Sequence, residues 1–133
     1  MDSITAKMIS NAHKALTHSY SPYSKFTVAS CIRTDKDNLY TGINIENSSY
    51  GLTLCAESAA IATMVTAGEQ RIKSMVILAG TNELCSPCGA CRQRIHEFST
   101  PDTMIHLCNQ DTILRSITIN ELLPLAFNFD FKP

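Results

Sequence analysis

Two short stretches constrain this chain more than any other feature: Cys55-Ala-Glu and Pro87-Cys-Gly-Ala-Cys91. Each follows a segment that reads as extended, and each opens a segment that reads as helical. A helix start presents unpaired N–H groups and partial positive charge, which favours thiolate over thiol. If the two helices lie side by side against a sheet, Cys55, Cys88 and Cys91 converge on one point. Three thiolates suit zinc and leave one tetrahedral position open. Glu57 stands two residues after Cys55, in the first helical turn, with no ligand duty of its own. A carboxylate placed there can take a proton from water at the open position, which is the logic of a catalytic zinc site.

Two other readings use the same cysteines. Cys88 and Cys91 have the spacing of a redox dithiol at a helix start, which leaves Cys55 and Glu57 unexplained. Cys85, Cys88, Cys91 and His96 could close a structural zinc site, giving a binding module without activity. Zinc content of single cysteine variants separates the three readings.

The rest of the chain alternates helix and strand signals. Ile4, Met8, Ile9, Ala12, Ala15 and Leu16 share one face of a helix predicted over 3–18. Residues 26–33 (FTVASCIR) read as a strand, 35–38 (DKDN) as a turn, and 39–47 (LYTGINIEN) as the returning strand of a hairpin. An alanine-rich helix runs from Cys55 to a stop at Gly68. The nearly continuous apolar run 72–80 predicts a buried central strand. A second core helix follows over 88–98, then strands over 104–109 and 113–118. Thr118 and Glu121 fit a capping box that starts a short helix, limited by Pro124. The order predicts a three-layer α/β/α sandwich around a mixed sheet of about five strands, with residues 1–133 forming one domain.

Composition narrows the partners. With 11 Lys and Arg against 12 Asp and Glu, the net charge is −1, and the basic residues are scattered. No nucleic-acid partner is expected, because gripping phosphates needs clustered cations. No membrane partner is expected either, since the longest apolar run, 75–79, is far too short to span a bilayer. The N-terminal stretch carries Asp2, Lys7 and His13 and has no signal-peptide h-region. A cytoplasmic location is therefore expected, where thiols stay reduced and six cysteines point to metal or catalysis before disulfides.

CAE at 55–57 and PCGAC at 87–91, together with SPYSKFTVA (21–29), GINIENSSYGLTLCAE (42–57), PCGACRQ (87–93) and ELLPLAF (121–127), resemble in order the small cytidine deaminases. These are zinc-dependent enzymes of the homotetrameric type. The resemblance covers about residues 20–127. It implies one zinc per subunit on Cys55, Cys88 and Cys91, with Glu57 as the proton shuttle. It implies that Asn44 and Glu46 hold ribose hydroxyls and that Phe26 lines the base pocket. The Ala56 N–H would meet the pyrimidine O2, and the Ser86 carbonyl the amino group at C4. Tyr50 and Phe127 match positions that reach into a neighbouring subunit's site, so active sites would be shared across interfaces. The implied reaction is hydrolytic deamination of cytidine or 2′-deoxycytidine to the uridine nucleoside and ammonia, in pyrimidine salvage. A relative acting on a cytosine-containing antibiotic nucleoside shares the cysteine framework and is the alternative.

One departure matters. Where this family often carries arginine after the glutamate, this chain has Ser58. Three thiolates around Zn²⁺ carry a formal charge of −1, and Arg92, beside Cys91, is expected to compensate it. The Ser58 hydroxyl could also donate to a thiolate. Cys31 and Cys108 read as buried apolar residues within strands. His13, His18, His96 and His106 show no metal-type spacing to one another.

Overall fold

The central strand is buried on both faces because both are apolar. In β3 (Ile72–Ala79), Met75 and Ile77 point to one side, Val76 and Leu78 to the other, and all four are buried. The computed structural model describes residues 1–129. Around β3 lies a mixed sheet of five strands in the order β2-β1-β3-β4-β5. Its other members are β1 (Val28–Thr34), β2 (Leu39–Ile43), β4 (Ser99–Cys108) and β5 (Ile113–Thr118). Only β3 and β4 pair in parallel; the remaining neighbours are antiparallel.

One face is covered by α1 (Ser3–Leu16), whose Met8, Ala12 and Leu16 pack on Ala29, Cys31, Val76, Leu78 and Cys108. Its start is fixed by Asp2, whose carboxylate accepts the Thr5 N–H at 2.7 Å. The other face carries α2 (Ala56–Thr66), α3 (Gly89–Glu97) and α4 (Ile119–Leu122). Ala60, Ile61, Met64, Ile95, Ile119 and Leu122 meet Ile32, Met75, Ile77, Ile105 and Leu107 there. Helices on both sides of the sheet make the expected three layers. Cys31 and Cys108 are buried core residues, and burial pushes the Cys108 thiol up to about 11.

Several local expectations hold. Thr118 and Glu121 form the capping box, and Gly68 follows α2 at φ 92°, the left-handed stop that glycine adopts without strain. Several boundaries differ: β1 begins at Val28 instead of 26, and β2 stops at Ile43 instead of 47. The first helix ends at Leu16, two residues early, and β4 begins at Ser99 instead of 104. Pro101 and Asp102 read as turn residues, yet this stretch is held by its neighbour. Ser99 pairs with Ile72, and the buried Thr103 hydroxyl donates to the Ile72 carbonyl at 2.7 Å. A tertiary bond there overrides local propensity.

Strand direction places the functional helices. β2 and β3 are both antiparallel to β1, so they run the same way and end at the same edge of the sheet. α2 and α3 each begin beyond one of those ends. The depth of α2 depends on Gly42 in β2. A Cβ added there would stand 2.3 Å from the Ala60 nitrogen, 2.7 Å from the Ala56 carbonyl oxygen and 2.8 Å from the Ala59 carbonyl carbon. All three are backbone atoms, so no side chain can swing aside. Gly42→Ala is expected to push α2 off the sheet and cost about 1–3 kcal/mol or more, as overpacking does. Chemical denaturation checks this, and an unchanged midpoint would refute the close packing.

Candidate active site and metal centre

Cys55 and Cys88 occupy equivalent places: each is the residue that caps its helix, α2 and α3 respectively. Cys91 follows one turn into α3 and is fully buried. The three sulfurs lie within 4.8 Å of one another. Zinc–sulfur bonds of roughly 2.3 Å place tetrahedral ligands at a mutual distance below that limit, so the trio can close on one ion without rearranging either helix. Soft sulfur donors match zinc better than a hard cation. The donor set fits the expected metal.

Among the described residues, these cysteines alone form a metal-competent cluster. Cys85 and His96 do not join it, which removes the closed structural site. His96 lies in the last turn of α3, on the order of 10 Å along the helix from its start. The cluster mixes electrostatic influences. Backbone N–H groups of Cys91 and Ala90 hold the Cys88 thiol below its usual value, Cys91 contributing most. Burial pushes the Cys55 and Cys91 thiols up, and the Glu57 carboxylate adds to that rise. A cation bound among them reverses this balance and deprotonates the sulfurs.

Glu57 sits in the first turn of α2, 5% exposed. Burial raises its carboxyl above the ordinary range, against the pull of its own backbone N–H, the Cys91 thiol and the Arg94 guanidinium. A carboxyl held above the ordinary range and facing a cavity can both take and return a proton. It lines a cavity of about 180 Å³ together with Asn44, Cys55, Ala56, Ser86 and Cys88. Val28, Thr53, Ile77, Cys85 and Pro87 complete the wall. Of these, only Cys85 was singled out from the sequence, and then as a structural zinc ligand. Apolar and small residues carry no chemical signal by type, and only the fold shows that they face this space.

Asn44 belongs to that wall, whereas Glu46, Phe26, Tyr50 and Phe127 do not. Asn44 and Glu46 follow the end of β2 and are both buried, not on a solvated face. The Asn44 side-chain oxygen accepts from the Val28 N–H at 3.1 Å and from the Ser19 hydroxyl, while its amide donates to the Phe26 carbonyl at 2.8 Å. Glu46 accepts from the N–H groups of Tyr23 and Ser24 at 3.0 and 3.1 Å and from the Ser24 hydroxyl. Both therefore brace the loop 19–28. Phe26, 40% exposed, borders a neighbouring cavity with Ser24, Lys25, Thr27, Gly80 and Thr81. Tyr50 lies in a short 3₁₀ turn, Tyr50–Leu52, and it and Phe127 are exposed. The Phe127 ring meets Phe129 edge-on at 4.9 Å, and its carbonyl accepts from the Gln93 side chain.

Arg92 is placed differently from expectation. Its Nε donates to the Pro87 carbonyl at 2.9 Å, and its two terminal nitrogens to the Leu122 carbonyl and the Ser86 hydroxyl, both at 2.8 Å. None of these bonds reaches a sulfur. A residue next to Cys91 on a helix points about 100° away from it, so adjacency in sequence does not give contact. Arg94, three positions on, donates to the Cys91 sulfur at 3.9 Å. The Ser58 hydroxyl is buried with no hydrogen-bond partner, so it serves no thiolate.

Comparison with known proteins agrees with this geometry. Residues 2–107 match the family described as the cytidine and deoxycytidylate deaminase zinc-binding region. A cytidine deaminase of Sporosarcina psychrophila is 39% identical over 122 residues, 92% of this chain and 90% of that protein. A cytidine deaminase of Mycoplasma pneumoniae is 41% identical over 116 residues, 86% of each chain. The crystal structure of cytidine deaminase from Burkholderia pseudomallei superposes with a TM-score of 0.87 at 33% identity, covering 96% of this chain and 100% of that one.

Two outcomes test the site. Cys55→Ala should lose its zinc while Cys85→Ala keeps it, by elemental analysis of the purified chains; the reverse pattern, loss only with Cys85→Ala, would restore the closed structural site. The Glu46 network predicts a pH signature. Hydrogen bonds led by the Ser24 hydroxyl hold the Glu46 carboxyl below its ordinary 4.5. Its stabilising effect is therefore complete above that value and fades as pH falls through the lower folded one. The difference in Tm between wild type and Glu46→Ala should be widest near neutral pH and close below about pH 4. A gap independent of pH would show that the carboxylate charge is not what braces the loop.

Proposed function

Since the chain belongs to the cytidine and deoxycytidylate deaminase family, we propose that it hydrolyses cytidine to uridine and ammonia, with 2′-deoxycytidine as a second substrate. One observation carries this reading: three cysteine sulfurs within 4.8 Å at the start of two helices, beside a buried glutamate on a cavity wall. The whole span 1–133 acts as one deaminase domain. The names of its relatives favour cytidine over an antibiotic nucleoside, and pyrimidine salvage is the corresponding role.

Cys55, Cys88 and Cys91 hold the zinc. When bound, zinc acts as a Lewis acid that lowers the pKa of water toward 7, making the nucleophile available at neutral pH. Glu57 performs the proton traffic. Its carboxylate accepts the proton lost by the attacking water and delivers it to ring N3, which leaves C4 more electrophilic. As water oxygen bonds to C4, the electron pair of the N3–C4 double bond moves to N3. Glu57 then takes the second water proton and passes it to the amine, so that the C4–N bond breaks, ammonia departs and the C4 carbonyl forms. Burial suits Glu57 for both directions of transfer.

The Ala56 N–H, an unpaired donor of the helix start, binds O2 of the base, and the Ser86 carbonyl accepts from the amino group. Arg92, bonded to the Ser86 hydroxyl and the Pro87 carbonyl, fixes the loop carrying that acceptor. A cavity of about 180 Å³ admits one pyrimidine ring. The ribose then lies toward its mouth, where Asn44 and Glu46 bind the hydroxyls and Phe26 flanks the base.

A homotetramer completes the mouth. Tyr50, Leu52 and Leu54 are at least half exposed, as is Phe127, an apolar set too large to leave in water without cause. Tyr50 and Phe127 enter the neighbouring subunit's site. No helix among the described residues is long and apolar enough to cross a membrane. A cytoplasmic location suits three ligand thiols that must stay reduced.

Glu57→Gln should retain zinc and lose roughly 10²–10⁴ in kcat, the usual worth of general acid–base help. Ultraviolet assays with cytidine, 2′-deoxycytidine, CMP and cytosine test substrate choice; near-normal turnover by the variant would defeat the mechanism. For subunit sharing, Glu57→Gln and Tyr50→Ala chains refolded together should recover activity that neither shows alone. Failure to recover would mean self-contained sites.

A further inference from the structure

We propose that Arg94 supplies the positive charge of the thiolate centre, acting on zinc through the Cys91 sulfur. This rests on the reading of Cys55, Cys88 and Cys91 as zinc ligands. Three thiolates and Zn²⁺ leave a net charge of −1 in a cluster where Cys91 is fully buried and Glu57 nearly so. A surplus charge in such a place needs a nearby cation or several oriented donors.

The first turn of α2 offers no cation. Position 58 holds a serine whose hydroxyl is buried and unpartnered. Arg92 gives its donors to two carbonyls and a hydroxyl. Arg94 remains, and its terminal nitrogen lies 3.9 Å from the Cys91 sulfur. Helical geometry explains the contact. Side chains lean toward the helix N-terminus, so a residue three positions after Cys91 lies back over its sulfur. The ligand and its cation thus come from one rigid helix, and their spacing is set by the helix itself. A hydrogen bond from a cation withdraws electron density from the sulfur, which lowers the charge the thiolate passes to the metal and leaves the metal a stronger Lewis acid.

Two readouts other than turnover test this. Zinc affinity by chelator competition should fall about 10–100-fold in Arg94→Met, the range usual for lost outer-shell partners, and by only a few-fold in Arg94→Lys, which keeps the charge. In the cobalt-substituted protein, the thiolate-to-cobalt charge-transfer band of Arg94→Met should move to longer wavelength, because a thiolate without its donor releases electrons more easily. Lys7→Met, on the opposite face of the sheet, controls for loss of charge alone and should change neither. Arg94 is exposed, so its replacement leaves the fold intact, which far-ultraviolet circular dichroism verifies. Arg94→Met with wild-type affinity and an unmoved band overturns this assignment while leaving the zinc site standing. A wild-type chain that binds no zinc overturns the zinc reading, and this assignment with it.

Discussion

The chemistry depends on a meeting of two helix starts that no local interaction could arrange. Strands β2 and β3 lie on either side of β1 and point the same way, so the chain leaving each of them emerges at one edge of the sheet. Each then turns into a helix at a cysteine. Two sets of unpaired N–H groups are thereby directed to one small volume, which is the expected position of a site in a sheet with parallel-running members. The approach is close because β2 presents Gly42 to an α2 face made of Ala56, Ala59 and Ala60. Small residues on both partners bring backbone to backbone, and the sulfur of Cys55 comes within reach of α3.

That convergence also creates an electrostatic problem. Four groups that carry negative charge in their working forms, three sulfurs and the Glu57 carboxylate, lie close together. Burial raises the thiols of Cys55 and Cys91, and the neighbouring negative groups raise them further. The cluster is tolerable only with compensating charge: the metal first, then helix N–H groups, then a guanidinium. The two arginines of α3 divide the task by angle. Arg92 faces the loop at Pro87 and the end of α4, where it locks backbone carbonyls; Arg94 faces back along the helix to Cys91.

This division marks the limit of what the sequence disclosed. Cysteine spacing, the acidic companion, the hairpin, the central strand and the capping box are local patterns, and each depends on residues close in the chain. The ligand set was legible because only three of six cysteines stand at helix starts. Arg92 drew attention by touching Cys91 in sequence, whereas a helix brings i and i+3 together and turns i+1 away. Reading the segment at helical spacing points to Arg94 directly. The early start of β4 had no such signal, since a bond from Thr103 to the neighbouring strand sets it. The cavity wall was equally silent: Val28, Ile77 and Pro87 are ordinary residues made relevant by place.

On the proposed function, Asn44 and Glu46 combine a ligand role with a structural one. Each is committed to the loop 19–28, yet neither is exhausted. The Asn44 amide donates one bond to Phe26 and keeps a second hydrogen, while the Glu46 carboxylate accepts three donors and retains acceptor capacity. What remains is one donor and one acceptor, the pair that a sugar hydroxyl, itself both donor and acceptor, can satisfy. The loop bonds supply something that free side chains would lack, because they fix both groups before any ligand arrives and lower the entropy lost on binding. On the proposed function, the same bonds that hold Phe26 in place set the direction in which a nucleoside meets Cys55, Cys88 and Cys91.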